Sequence, residues 1–395
     1  MDRRLLTLAL GMFAVGTDSF VVAGVLPEIS HSFRVSIGAA GQLTTVYALT
    51  YALLSPISAA VFAHVNRKKL MLSGLGVFVL ANLATAWSPT LTFALVARMF
   101  AGLGAAMYTP TATGSGAAIV APERRGYALS IVIAGLTLST ALGSPIGTVI
   151  GGLGDWRYTM VFVSAISAAA ALGITIFMFN IPMPPAINLK QRLAPFGDHR
   201  VGLTLLTTVL VQCGTFIIYT YFSVVFANAI HGSALMFGGL LVLFGVGGTI
   251  MNLAGGRLID TIGARKVLTA MILTLIVIAA TLPYTSVALP TAIVAIALFG
   301  ACAWGQLVPQ QHRLVGIMPQ AAPILLGLNT SGTYIGVASA GLVGAGAISL
   351  VGADNIGWVS LSLYVAALIT SELAHRAITN HKGGGSVEGL TPAKA

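Results

Sequence analysis

Residues 5–27 read LLTLALGMFAVGTDSFVVAGVLP. This apolar run is as long as the roughly 20 residues that carry a helix across a bilayer. One carboxylate, Asp18, sits well inside it. A charged residue at the centre of a spanning helix costs about 2.5–3.5 kcal/mol on insertion scales, so an intramembrane Asp reads first as a functional group. The plainer alternative is a helix bend or a polar contact to a neighbouring helix. The polar stretch that follows, from Glu28, shows no small-residue cleavage site, so the run reads as a retained helix and not as a signal peptide.

The rest of the chain has the same character. Its 395 residues are 56% hydrophobic and 8% charged, with a mean hydropathy of +0.93; a soluble domain is roughly a quarter charged. Hydropathy windows place twelve spans near 5–27, 38–62, 69–87, 91–114, 127–152, 158–181, 201–226, 235–256, 267–285, 289–310, 323–350 and 357–375. With the N-terminus in the cytoplasm, 17 of the 20 Lys and Arg fall inside, Arg34 and Arg157 fall outside, and Arg98 lies within a span. This is the positive-inside asymmetry, so the net charge of +10 reports topology and not affinity for nucleic acid. Cys213 and Cys302 fall in apolar spans and suggest neither a disulfide nor a metal site.

The longest interior connection, PMPPAINLKQRLAPFGDHR (182–200), divides the spans six and six. Arg67-Lys68 after the second span recurs as Arg265-Lys266 after the eighth. The small-residue stripe Gly135, Ser139, Gly143, Gly147, Gly151 recurs as Gly332, Gly336, Ala340, Gly344. The expected fold is therefore an all-α polytopic membrane protein whose twelve transmembrane helices form two pseudo-symmetric six-helix halves. The expected divisions are 1–181, a cytoplasmic linker at 182–200, 201–376, and a Gly-rich, disordered cytoplasmic tail at 377–395. Two such halves with a site at the membrane midplane form a transporter layout.

Depth arithmetic ties Asp18 to Arg98. Asp18 precedes Pro27 by nine residues on an outward-running helix, and Arg98 follows Pro89 by nine on an inward-running one. Each lies about 14 Å from the outer end at ~1.5 Å per residue. An Arg nearby favours the ionised acid and desolvation favours the protonated one, which is what a proton-coupling site needs; the alternative is a static pair that fixes two helices. Pro145 interrupts the fifth-span stripe and removes a backbone hydrogen bond, which points to gating or leak-sealing, against ordinary close packing. Asp260 stands beside Arg257, Arg265 and Lys266, an ion-pair latch able to hold helix ends in one conformation and release them in another. Its first-half counterpart has Arg67 and Lys68 but Ala63 in place of the acid. Tyr47, Tyr51, Tyr108, Gln212, Tyr219, Trp304, Gln306, Gln310, Asn329 and Tyr334 are the candidate substrate contacts, because a pocket for an organic molecule is apolar and aromatic with a few hydrogen-bonding groups. Few charges beyond Asp18 and Arg98 lie in the spans, which disfavours a highly charged substrate. No Walker loop, zinc spacing or nucleophile elbow is present, so no cofactor, no metal and no enzymatic activity are expected.

GTDSFVVAGVLPEI (16–29), GQLTTVYALTYALLSPISA (41–59), RMFAGLGAA (98–106), LGSPIGTVIGGLGDWR (142–157) and GLNTSGTYIGVA (327–338) together resemble the major facilitator superfamily over nearly the whole chain. More narrowly they resemble its drug:proton antiporter branch, the bacterial efflux type for purine nucleosides, sugars and chloramphenicol. YTYFSVVF (219–226) and WGQLVPQQ (304–311) are similar to the purine-efflux members. The resemblance implies that the motif around Gly143, Pro145 and Gly147 serves antiport and that Arg98 serves proton transfer. It gives conformational switching to the loop of Gly256, Asp260, Gly263, Arg265 and Lys266. The chain departs from the pattern in two places. Where many relatives have Thr-Asp-Glu-Phe or Thr-Ser-Glu-Phe, this sequence has Thr17-Asp18-Ser19-Phe20, so Asp18 must stand in for the Glu or coupling is altered. The first-half loop also lacks its Asp and central Gly, having Ala63 and Asn66.

The expectation is a proton-driven exporter of a small organic molecule in a bacterial cytoplasmic membrane. Both termini would be cytoplasmic, the chain monomeric by resemblance, and its partners the substrate, protons and the bilayer. The alternatives are a proton-coupled or facilitative importer, or a non-transporting receptor on the same fold.

Overall fold

The computed structural model describes residues 2–62, 64–121, 124–179, 181 and 189–384. Among the described residues twelve helices are long and apolar enough to span a membrane: α1 (Arg3–Phe33), α2 (Ile37–Val61), α3 (Arg67–Ala86), α4 (Leu91–Ala118), α5 (Tyr127–Leu153), α6 (Trp156–Phe177), α7 (His199–Thr220), α8 (Ala234–Ile262), α9 (Ala264–Thr285), α10 (Leu289–Ile317), α11 (Pro319–Val351) and α12 (Ile356–Asn380). Starts are set by side chains that cap the first-turn N–H groups: Ser36, Asn66, Thr90, Asp155, Asp198 and Ser233 each accept a backbone hydrogen bond. Gly263 turns α8 into α9 at φ 87°, a conformation that side-chain-bearing residues rarely adopt.

The two halves pack alike. In the first, α1 lies on α5 and α6, α2 on α4, and α3 on α4 and α6; in the second, α7 lies on α11 and α12, α8 on α10, and α9 on α10 and α12. The halves meet where α2 packs on α11 and α5 on α8, which is one contact repeated by a pseudo-twofold. The side where α3 and α9 begin, carrying Arg67, Lys68 and Arg265, is called the basic side below, and its opposite the far side.

Three boundaries differ from the sequence reading. Helix α1 does not end at Pro27. It tightens into a 3-10 turn at Val22–Val25, and Pro27 then sits in the first turn of the segment Leu26–Phe33, where its missing N–H leaves nothing unpaired. Helix α7 stops at Thr220, and two short helices, Phe222–Val225 and Ala227–Ile230, follow it. Helix α12 continues to Gly384, into the stretch expected to be a disordered tail. No Gly or Pro follows Arg376 before the glycine run, so nothing breaks the helix until it reaches them. Residues 385–395 lie outside the described part, as do 182–188 of the linker and Ala63. Within α5, Ser139–Gly143 forms a π turn in which the Ser144 N–H reaches the Ser139 carbonyl. The extra residue sits immediately before Pro145, so the helix accommodates the proline by widening, a device often found at functional sites.

Candidate functional site

Asp18 and Arg98 meet in the middle of the first half. Arg98 Nη1 lies 2.6 Å from Asp18 Oδ1, and both side chains are fully buried. The guanidinium also donates to the Asp18 carbonyl and the Leu43 carbonyl, each at 3.4 Å, and lies 4.4 Å over the Tyr47 ring. Among the described residues Asp18 Oδ2 has no partner at hydrogen-bond geometry. A pair without water is held only if its remaining donors and acceptors are met. Here the cation is met on all sides and the acid is left with one free oxygen.

Helix α1 is held against α5 by the small-residue stripe. A side chain at Gly143 would strike Thr17, at Gly147 Val21 and at Gly151 Val25, while one at Gly24 would strike Thr148. The stripe and the π turn therefore set the position of the residue next to Asp18. The other stripe does the same for α7: Gly336 has no room for a Cβ beside Gln212.

Ser19, the residue after Asp18, joins the two halves. Its hydroxyl lies 3.1 Å from that of Tyr47 and 3.3 Å from that of Tyr334 on α11. Tyr334 in turn lies against Tyr51, ring centroids 4.1 Å apart. Phe20 packs on Phe216, Tyr219 and Trp304 of the second half. Tyr219 donates to the Phe20 carbonyl at 3.4 Å and lies 3.3 Å from the Ser144 hydroxyl; Ser223 donates to the Ala23 carbonyl, and Gln42 to the Gly341 carbonyl. Among the described residues every hydrogen bond and ring contact between the halves lies level with the Tyr51–Tyr334 stack or on its far side. None is an ion pair.

Across from the charge pair, the second half carries buried amides. Gln310 Nε2 donates to the Thr204 carbonyl and to Thr208, and Thr208 donates to Asn329 Oδ1. One turn further toward the far side on the same antiparallel helices stand Gln306 and Gln212, at most 1% exposed. Among the described residues none of their four polar atoms has a partner, nor does Trp304 Nε1. Unpaired groups at this depth each cost about 1–3 kcal/mol.

Two expectations are corrected. Tyr108 does not face the centre: its hydroxyl donates to the Leu8 carbonyl at 2.9 Å and fills the space over Gly11, so it ties α4 to α1. The latch is wired differently too. Asp260 forms no ion pair among the described residues, because Arg265 forks onto Glu372 of α12, Nε–Oε1 3.2 Å. In the first half Asn66 caps α3, and Lys68 donates to the Thr175 carbonyl at the end of α6. In each half a cation thus reaches from the start of the third helix to the end of the sixth. Gly256 faces open space, and Lys266 is exposed.

Asn82 of α3 was missed by sequence reasoning, although it is fully buried 3.5 Å from Arg98 Nη1. The signal was available: α3 and α4 form a hairpin around Ser88-Pro89-Thr90, which brings a polar residue six positions before Ser88 near one eight positions after Thr90.

A twelve-helix, two-lobed bundle with buried polar groups where the lobes meet defines a membrane transporter. The chain belongs to the major facilitator superfamily, whose sequence profile matches residues 8–341. It is 30% identical over 374 residues to an uncharacterized MFS-type transporter, YbcL, of Bacillus subtilis (strain 168), covering 93% of this chain and 94% of that one. It is 28% identical over 375 residues to the inner membrane transport protein YdhP of Escherichia coli (strain K12), covering 92% and 95%. The crystal structure of the human organic anion transporter MFSD10 (TETRAN) shares the fold, with a TM-score of 0.69, 17% identity, and coverage of 94% of this chain and 99% of that one.

Proposed function

We propose that this transporter exports a small, uncharged organic molecule across a bacterial cytoplasmic membrane in exchange for protons, working as a monomer with both termini in the cytoplasm. The observation that carries the reading is the adjacency of Asp18, fully buried on Arg98 with one oxygen free, to Ser19, whose hydroxyl meets Tyr334 of the other half. A proton at Asp18 and the contact that parts when the halves rock are one residue apart.

In this cycle a proton from outside adds to Asp18 and weakens its pair with Arg98. The halves rock, and the proton leaves on the cytoplasmic side as substrate binds there. Gln212, Gln306 and Trp304 would hold the substrate's hydrogen-bonding edges, with Phe20, Phe216 and Tyr219 against its apolar faces. Among the described residues the charges at that level are a pair that neutralises itself, so a neutral or weakly polar molecule fits best. The proton gradient supplies the energy, without a cofactor. Export is favoured over import by the antiporter-like Gly143–Gly147 segment, built around the π turn that abuts Thr17.

The test is accumulation of a labelled nucleoside, sugar, chloramphenicol and lipophilic cation in an efflux-deficient bacterium carrying the wild type or Asp18→Asn, with and without a protonophore. Exclusion of one compound by the wild type alone, lost under protonophore, is the expected result. Equal exclusion by both forms removes Asp18 from coupling, and uptake in place of exclusion reverses the direction.

A further inference from the structure

Asp18 and Arg98 share their enclosure with a third polar side chain. Asn82 Nδ2 donates to the Phe78 carbonyl at 3.1 Å, one turn back on its own helix. That bond turns Asn82 Oδ1 toward Arg98 Nη1, 3.5 Å away. The same Nη1 holds Asp18 Oδ1 at 2.6 Å. One guanidinium nitrogen therefore faces two acceptors, one engaged and one at the limit of hydrogen bonding. All three side chains are fully buried.

We propose that Asn82 is the positioning residue that makes the pair reversible: it receives Arg98 whenever Asp18 is neutral. The inference rests on Asp18 being the proton carrier. A proton from the aqueous phase adds to the free Oδ2 and forms an O–H bond; Arg98 keeps its own protons throughout. Once the carboxyl has lost its charge, Nη1 slides from Asp18 Oδ1 to Asn82 Oδ1. A buried cation that loses its counter-charge is strongly penalised, and the waiting amide oxygen offsets part of that penalty by giving Nη1 a new acceptor. On the other side of the membrane the O–H bond breaks, the proton departs, and Nη1 returns to the carboxylate. An Asn serves where an Asp would not, because a second carboxylate would hold Arg98 permanently.

The other groups that face Asp18 are few. Helix α3 contributes Asn82 itself and α4 contributes Arg98, while Tyr47 on α2 and Tyr334 on α11 lie near enough to feel its charge. Helices α5 and α6 carry no charged side chain between Ala128 and Leu153 or between Thr159 and Phe177. Asn82 is thus the neutral acceptor placed to take over the guanidinium.

Infrared difference spectra of the purified full-length protein in lipid, recorded as pH is stepped, give a readout that needs no substrate. The Asp18 carboxylic C=O band is the one lost in Asp18→Asn; if no band separates that variant from the wild type, the proton-carrier reading itself falls. Given the band, Asn82→Leu, close in size but without an acceptor, is expected to need about tenfold more protons for half-maximal intensity. Asn82→Thr, which keeps an acceptor, is expected to shift less. A Leu variant that titrates with the wild type overturns the proposal. Should the variants not fold, the wild type with side-chain-labelled asparagine decides alone: an amide C=O shift must track the carboxyl band, and its absence overturns the proposal equally.

Discussion

Ser19 and Tyr334 lie 3.3 Å apart, hydroxyl to hydroxyl, across the boundary between the two halves. Ser19 also follows Asp18 in the chain, so the proposed proton site and the boundary between the halves share one turn of α1. Tyr334→Phe removes the inter-half hydrogen bond and leaves the ring stack on Tyr51. A neutral hydrogen bond contributes about 0.5–1.5 kcal/mol, so the far side should open about two- to tenfold more often. Spin-label distances between the far ends of α2 and α11 would read that shift; an unchanged distribution would remove this contact from the gate.

Breaking the buried pair from one side should cost more than removing it. Arg98→Ala leaves an unmatched carboxylate and should lower stability by about 3–5 kcal/mol. Asp18→Asn with Arg98→Gln should recover most of that while remaining unable to couple. Thermal midpoints of the single and double variants decide the point, since additive losses would mean that the two charges do not depend on each other.

The amides predict opposite signs for stability and transport. Gln306→Leu deletes two unpaired buried polar atoms, so the empty protein should gain about 1–3 kcal/mol while transport falls about tenfold or more. Gln310→Leu, by contrast, breaks bonds to Thr204 and Thr208 and should lower both. A destabilised Gln306→Leu would mean that its amide has a partner within the protein.

The stripe on α5 should be sensitive by position. Gly143→Val drives a side chain into Thr17 and should cost about 1–3 kcal/mol in overpacking, with coupling lost because α1 shifts. Gly114→Ala faces open space and should be nearly silent. Comparable losses at both sites would mean that the collision with Thr17 is not the cause.

At the start of the second half, Asp198 caps α7 and accepts a forked pair of bonds from Arg200, with Nε–Oδ1 at 3.0 Å. The Arg200 hydrogen bond holds the Asp198 carboxyl below the usual carboxylate range. The group is depressed in the folded state, so its contribution is fully present above the unfolded value near 3.9. It is lost as pH falls through the folded value. Asp198→Asn keeps a capping oxygen but should flatten stability against pH in that acidic window, and an unaltered profile would assign the dependence elsewhere.

Spans, halves and the depth of Asp18 and Arg98 were legible because hydrophobic length, cation placement and helical rise are one-dimensional quantities. The shared depth agrees with the structure although Pro27 lies inside α1, since that proline marks where the helix re-forms near the far side. What a side chain does around its helix was not legible. Tyr108 and Tyr47 look alike in sequence, yet one closes over Gly11 and the other lies under Arg98. The partner of Arg265 was out of reach for the same reason: Asp260 is five residues away in the chain, but Glu372 is the one its fork meets in space.

The seam between the halves, among the described residues, is closed by hydroxyls, a backbone-bound amide and aromatic rings, with no salt link across it. Parting the lobes therefore separates no opposite charges and moves none through the membrane field. A membrane voltage, worth about 2.3 kcal/mol per charge for each 100 mV, finds no gating charge in the rocking motion. It can act on the cycle only through the ions that ride it.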